Sequence, residues 1–243
     1  MKILIISDLH YEKKMFKGVD ESKAWGWLLS VVDYHKPNYL LSCGDWGTAI
    51  NFEEFYMLLD RTTVLSIYGN HENTAVLSLL RNTRSRGSKP VLMKDGKVYD
   101  LENIKVAGIN GVISEKKKRS REGVQHKTPY EYIAVAQSLS GKDVDILLIH
   151  EAPYIPHVFP SITETIGSQV VLKAIEIVKP KLVIGGHMHY EGYKVHQLDF
   201  GTLYIHIDSS QASRYYLAIE REYERSRVDV WRDYDVQVSL AYL

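Results

Sequence analysis

"KLVIGGHMH", residues 181–189, decides the reading of the whole chain. An apolar run stops at Gly185 and Gly186, and two imidazoles follow with only Met188 between them. In a strand, residues two apart share a face, so His187 and His189 can be two surface side chains on an edge. The glycine pair predicts instead that the strand has ended and the backbone turns tightly. Open α/β sheets place their sites on the loops that leave strand ends. The two histidines are therefore candidate metal ligands, and the rest of the chain has to decide between the two readings.

Working outward, the same pattern recurs. "KILIIS", "NYLLSC", "TVLSIY" and "DILLIH" are short apolar runs of the kind that strands buried on both faces show. Between them lie helical stretches. "ESKAWGWLLSVVDYHK" ends before Pro37, with Trp25 and Leu28 or Leu29 on its buried side. "FEEFYMLLD" and "NTAVLSLLRN" are shorter, the latter opened by Asn73 or Thr74. Thr128, Pro129 and Glu131 form a capping-box start for a helix through about Leu139. "SQVVLKAIEIVK" ends at Pro180. Asp95-Gly96 predicts a hairpin within "VLMKDGKVYDL", followed by a strand in "IKVAGING" and a charged loop, "SEKKKRSREGVQHK". The tail after residue 190 alternates and reads as an antiparallel meander. The expectation is one α/β domain over residues 1–243, with two stacked mixed sheets flanked by helices in a four-layer α/β/β/α sandwich.

Composition narrows the function. Thirty basic residues balance thirty acidic ones, so nothing global draws the chain to nucleic acid or to an anionic membrane. Nucleic acid stays possible through a local patch, and the oligomeric state is open. The single cysteine, Cys43, excludes an intrachain disulfide and a Cys-rich zinc site. It suits a reducing cytoplasm. The N-terminal apolar run is too short for a signal-peptide core, and no stretch approaches the ~20 apolar residues of a membrane span.

The chemistry lies just past the strands. Asp8 and His10 follow the first, in "SDLH". Asp45 follows the second, in "CGDWG". Asn70, His71 and Glu72 follow the third, in "YGNHE". His150 ends "DILLIH", and His187 and His189 complete the series. Each has an ordinary explanation: an Asp after a strand is often a helix N-cap, and a lone His is often a hydrogen-bonded core residue. Together, in strands that share a sheet, these donors converge at one edge. Carboxylate, amide and imidazole without thiolate suit Mn²⁺, Zn²⁺ or Fe. Seven donors suit two ions roughly 3.5–4 Å apart that share a carboxylate and activate a water.

The ordered set "SDLH", "GD", "YGNHE", lone "H" and "GGHMH" resembles the calcineurin-like metallophosphoesterases across residues 8 to 189. The resemblance implies hydrolysis of a phosphodiester or phosphomonoester by a metal-bound hydroxide. It implies two divalent ions, Mn²⁺ first and Zn²⁺ or Fe as alternatives. Asp8, His10 and His189 would hold one ion, Asn70, His150 and His187 the other, and Asp45 would bridge them. His71 would act as general acid or electrostatic stabiliser near the leaving group. The sequence departs from the protein Ser/Thr phosphatases of the superfamily. It has Thr48 where they have a second Asp, Tyr68 where they have Arg before "GNHE", and a second histidine in "GHMH". A diesterase is favoured, with a phosphatase-like monoesterase or a non-catalytic metal-binding protein as alternatives.

Outside the donor set, "KKKRSR" (residues 116–121) is either a solvated loop or a phosphate-recognising lid. The lid would use Lys117, Lys118, Arg119, Arg121 or His126 on a phosphate ester, with a nucleotide as one candidate. Trp46 either stacks on a base or packs under the next helix.

Overall fold

The computed structural model describes residues 1–84, 88–121, 123–189, 192–222 and 225–240. Glu122 of the charged loop, and Tyr190 and Glu191 at the start of the expected meander, lie outside the described residues. In chain order the elements are β1 (Lys2–Ile6), β2 (Met15–Phe16), β3 (Val19–Asp20), α1 (Ala24–His35), β4 (Tyr39–Ser42), α2 (Phe52–Leu59) and β5 (Thr63–Ser66). There follow α3 (Thr74–Leu77), β6 (Tyr99–Leu101), β7 (Ile104–Gly108), α4 (Pro129–Leu139), β8 (Ile146–Leu148), α5 (Ile166–Val178) and β9 (Leu182–Gly185). The tail supplies β10 (Tyr193–Gln197), β11 (Leu203–Ile207), β12 (Tyr215–Glu222), β13 (Arg225–Arg232) and β14 (Asp235–Leu240).

Two mixed six-stranded sheets result, in the orders β14-β13-β12-β1-β4-β5 and β10-β11-β9-β8-β7-β6. The apolar runs read from the sequence form the parallel centres, β1 beside β4 and β5, and β7, β8 and β9 side by side. Alternation along β1 sends its residues to opposite faces. Ile3 and Ile5 join Leu41, Leu148, Ile184 and Ile205 in the core between the sheets. Leu4 and Ile6 pack outward with Trp25, Leu28, Phe55 and Leu58 of α1 and α2. On the far side Leu147 and Val183 meet Tyr132, Ala136, Val171 and Ile175 of α4 and α5. The order is helix, sheet, sheet, helix, as expected. Among the described residues, no helix is long and apolar enough to cross a membrane.

Several local expectations are confirmed and others corrected. Helix α4 opens on the Thr128–Glu131 capping box, both reciprocal bonds being present. Helix α3 is a single turn capped by Asn73, shorter than its apolar pattern suggested. Asp95-Gly96 is a turn, but the hairpin lies further on. β6 and β7 pair antiparallel, and the residues that reverse the chain, Glu102 and Asn103, both have positive φ (53° and 72°). Strands within the tail pair antiparallel, as expected, but the tail divides between the sheets: β10 and β11 extend one, where β11 lies parallel to β9, and β12, β13 and β14 extend the other.

Candidate metal centre

Strands β1, β4, β5, β8 and β9 all release their chains at the same rim of the two sheets, and the donor residues follow. The backbone there is tied together loop to loop. Asp8 N donates to Gly44 O at 3.0 Å and His10 N to Asp45 O at 2.9 Å. Asp8, His10, Asp45 and His187 all sit in the left-handed region, with φ of 57°, 48°, 57° and 72°. Non-glycine residues take that conformation at a cost of order 1–3 kcal/mol each, and such strain gathers at functional sites.

Asp8 is buried, receives Ser7 Oγ–H at 2.6 Å, and accepts His187 N–H at 2.9 and 3.1 Å. Gly186 lies hard against it: a Cβ there would stand 1.8 Å from Asp8 Oδ2, so only glycine lets the turn pass. Asp45 Oδ1 accepts Asn70 N–H at 2.7 Å and His71 N–H at 2.8 Å, which leaves Oδ2 aimed at the imidazoles. His10 Nε2 stands 3.6 Å and His150 Nε2 3.4 Å from Asp45 Oδ2. His10 Nε2 is also 3.7 Å, and His189 Nδ1 3.8 Å, from Asp8 Oδ1. His150 donates Nδ1–H to Cys43 O at 2.9 Å, which turns its Nε2 lone pair inward. That Nε2 lies 3.2 Å from Asn70 Oδ1 and 3.3 Å from His187 Nδ1.

The residues present fit divalent cations. Asp45 Oδ2 and His10 Nε2 are buried without a hydrogen-bond partner, and an orphaned buried carboxylate oxygen is costly unless a cation meets it. Donors bound at 2.0–2.2 Å to one ion stand roughly 3–3.6 Å apart, the range seen between most of these atoms. Asp8, His10, Asp45 and His189 each bring one donor atom into a group within 4.8 Å. The electrostatics agree. Burial opposes the Asp8 and Asp45 charges, yet the surrounding imidazoles hold both carboxyls well below the usual range. Burial likewise opposes a charged ring at His10 and His150, yet the two carboxylates raise these to about 9 and about 10. The field of the site thus retains positive charge in the interior. Burial lowers His187 to about 4 and lowers His189, so both remain neutral lone-pair donors near pH 7.

Around the cluster opens a cleft of about 600 Å³ whose lining includes His10, His71 and His189. The His71 ring stands 5.3 Å from that of His10, beside the donors and facing the cleft. Of the expected substrate contacts, Arg121 lines this cleft. Lys117 is paired with Glu131 at 2.7 Å, while the Lys118 carbonyl and Arg119 pair with His126 and Gln125 across the loop. His126 is half-buried, with both ring nitrogens enclosed and unpartnered, and burial lowers its pKa. Trp46 is corrected. It is fully buried against Trp25 and Phe55, with Nε1–H on Ser66 Oγ at 2.7 Å, so it cannot stack on a base.

Sequence reasoning placed Glu72 among the residues after the third strand but gave it no role. This buried carboxylate accepts from Asp45 N (2.6 Å), Gly69 N (3.1 Å) and Trp46 N (3.3 Å), fastening the loop of Asp45 to that of Asn70. Burial first, and the Asp45 charge second, raise its pKa to about 8. Its signal was its place, directly after two candidate residues in a tight turn. His206 of β11 was missed. It is buried, and its Nε2 meets Met188 O at 3.0 Å, bracing the turn between the two opening histidines.

Imidazole and carboxylate donors gathered over the rim of two stacked sheets, beside an open cleft, define a metal-dependent hydrolase. The model of the calcineurin-like phosphoesterases matches residues 1–191, and the chain belongs to that family. No curated protein matches it by sequence. Among solved structures it is similar to TT1561 of Thermus thermophilus, at 14% identity and a TM-score of 0.66, covering 96% of this chain and 98% of that one. It is also similar to the NAD nucleotidase of Haemophilus influenzae, at 14% identity and a TM-score of 0.50, covering 100% of this chain and 56% of that one. At these identities the likeness concerns the fold.

Proposed function

We propose that this phosphoesterase uses two divalent ions, Mn²⁺ first among them, to hydrolyse a phosphodiester in preference to a phosphomonoester. Asp8, His10 and His189 would hold one ion, Asn70, His150 and His187 the other, and Asp45 would be shared between them. The observation that carries this reading is Asp45 itself. One carboxylate oxygen is fixed by two backbone N–H groups, and the other is buried and unpartnered between the two groups of donors. Ions bound there would supply an acidified water and charge to clamp the oxygens of a phosphoryl centre.

The chain's own residues do the rest. Ser7 and the His187 N–H orient Asp8. Cys43 O fixes the tautomer of His150. His71, at the cleft and next to the ligand Asn70, supplies a proton to the departing oxygen or steadies its charge. The diester preference is supported by "GHMH" and by Thr48 and Tyr68, which replace the Asp and Arg of the protein phosphatases. The single, buried Cys43, raised far above the usual thiol range by burial, is in keeping with a cytoplasmic protein. Hydrolysis of methyl 4-nitrophenyl phosphate and of 4-nitrophenyl phosphate with added Mn²⁺ tests the reading, beside metal analysis of Asp45→Asn. Turnover of the diester, and loss of both metal and turnover in the variant, are expected. Two retained metals with a near-normal rate would rule out the bridge.

A further inference from the structure

Strands β2 and β3 belong to neither large sheet. They form a separate two-stranded hairpin at the rim of the cleft. Its turn residues, Lys17 and Gly18, both have positive φ (47° and 81°), the tight reversal that hairpins favour. Its base is fastened by Glu21 N on Lys14 O at 3.2 Å and by Asp20, which caps the turn leading into α1. The hairpin therefore presents its side chains from a fixed frame. What it presents to the cleft is Phe16, 44% exposed, with Lys17 Nζ 5.3 Å and Lys14 Nζ 6.0 Å from the ring centroid. Lys14 also faces Glu21 at 4.0 Å.

Two other segments complete this end of the cleft. Arg121 enters from the charged loop, and Gln211 from the turn after β11. An isolated aromatic ring on a surface needs no explanation. Here a ring and three cations converge on one cleft, next to the metal donors. A planar base has a face for the ring, and a phosphate has oxygens for Lys and Arg.

We propose that the cleft takes a nucleotide-type ester, with the base lying over Phe16 and phosphate oxygens against Lys14, Lys17 and Arg121. The proposal rests on the phosphoesterase reading above and names its substrate class. It makes the hairpin at residues 15–20 the specificity element, in place of the lysines at 117 and 118.

The test compares thymidine 5′-(4-nitrophenyl) phosphate with methyl 4-nitrophenyl phosphate, which share a leaving group, on the metal-loaded protein and on Phe16→Ala. The wild type should show kcat/KM at least about tenfold higher for the thymidine ester. Phe16→Ala should erase that advantage and leave the methyl ester within about twofold. Calorimetry gives a second readout: thymidine 5′-monophosphate should bind more tightly than inorganic phosphate by about tenfold, and the difference should vanish in Phe16→Ala. Equal wild-type rates on the two esters, or an equal drop on both in the variant, would overturn the proposal. Hydrolysis of neither ester, with the calorimetric difference intact, would count against the phosphoesterase reading and in favour of the nucleotide site.

Discussion

Truncating Glu72 should separate the two loops that carry Asp45 and Asn70. Glu72→Ala removes the acceptor of three backbone N–H groups, those of Asp45, Gly69 and Trp46. Glu72 is 2% exposed, so water cannot readily replace the carboxylate. Each buried donor left unpaired costs about 1–3 kcal/mol. The low end, one for each donor, gives a loss of ~3 kcal/mol, more than a hundredfold in the folding equilibrium. For a chain of this length that corresponds to a fall in Tm of ~6–12 °C. Glu72→Gln should be milder. Its carboxamide oxygen can keep the Asp45 and Gly69 bonds that Oε1 now makes, and only the longer Trp46 bond is lost. The expected order of stability is wild type, then Gln, then Ala, with metal content following the same order because Asp45 and Asn70 lose their common anchor. Urea unfolding and metal analysis measure both. Destabilisation of Glu72→Ala by less than ~1 kcal/mol with full metal content would refute the clamp, and an equal fall for Gln and Ala would refute the oxygen-by-oxygen accounting.

Two more outcomes follow from the geometry. His71→Asn should keep its metals, since the donor cluster forms without the ring. It should lose ~10²–10⁴-fold in kcat/KM on alkyl or nucleoside leaving groups and less on nitrophenolate; an equal loss across leaving groups of graded pKa would assign the ring to electrostatic stabilisation instead. His35, buried beside Tyr216 OH at 2.9 Å, is lowered to about 4 by burial first and Lys2 second. Its folded pKa lies below the unfolded ~6.5, so its stabilisation is fully present above pH 6.5 and is lost as pH falls toward 4. His35→Gln should therefore lose less stability between pH 7 and pH 4.5 than the wild type, by on the order of 1 kcal/mol after allowance for solvent screening, as read by urea midpoints at the two pH values.

The sequence made the donor set legible because buried parallel strands are continuous apolar runs, and whatever follows them lands on one rim. Asp8, Asp45, Asn70, His150 and His187 needed only that argument. The α4 start was equally plain, since a capping box is a local device completed within four residues. What could not be read depended on distant partners. Trp46 is apolar next to a candidate ligand, and nothing local tells whether its ring faces the cleft or Phe55. Asp95-Gly96 has good hairpin chemistry, but strand pairing goes to the run that finds β8, so the reversal falls at Glu102-Asn103. Glu72 resembles any surface acid until three N–H groups from two loops close on it. The β2–β3 hairpin is too short, and too polar around Phe16, for periodicity to register.

The left-handed backbone at Asp8, His10, Asp45 and His187 has an evolutionary corollary. Glycine adopts that conformation without penalty, so at His10 or His187 a drift to glycine relieves local strain while deleting a candidate ligand. The centre is therefore held against a standing mutational gradient. Selection for heat resistance alone, in a library of variants screened without turnover, would erode these positions early, and a thermostable lineage recovered that way would tend to be an inert one.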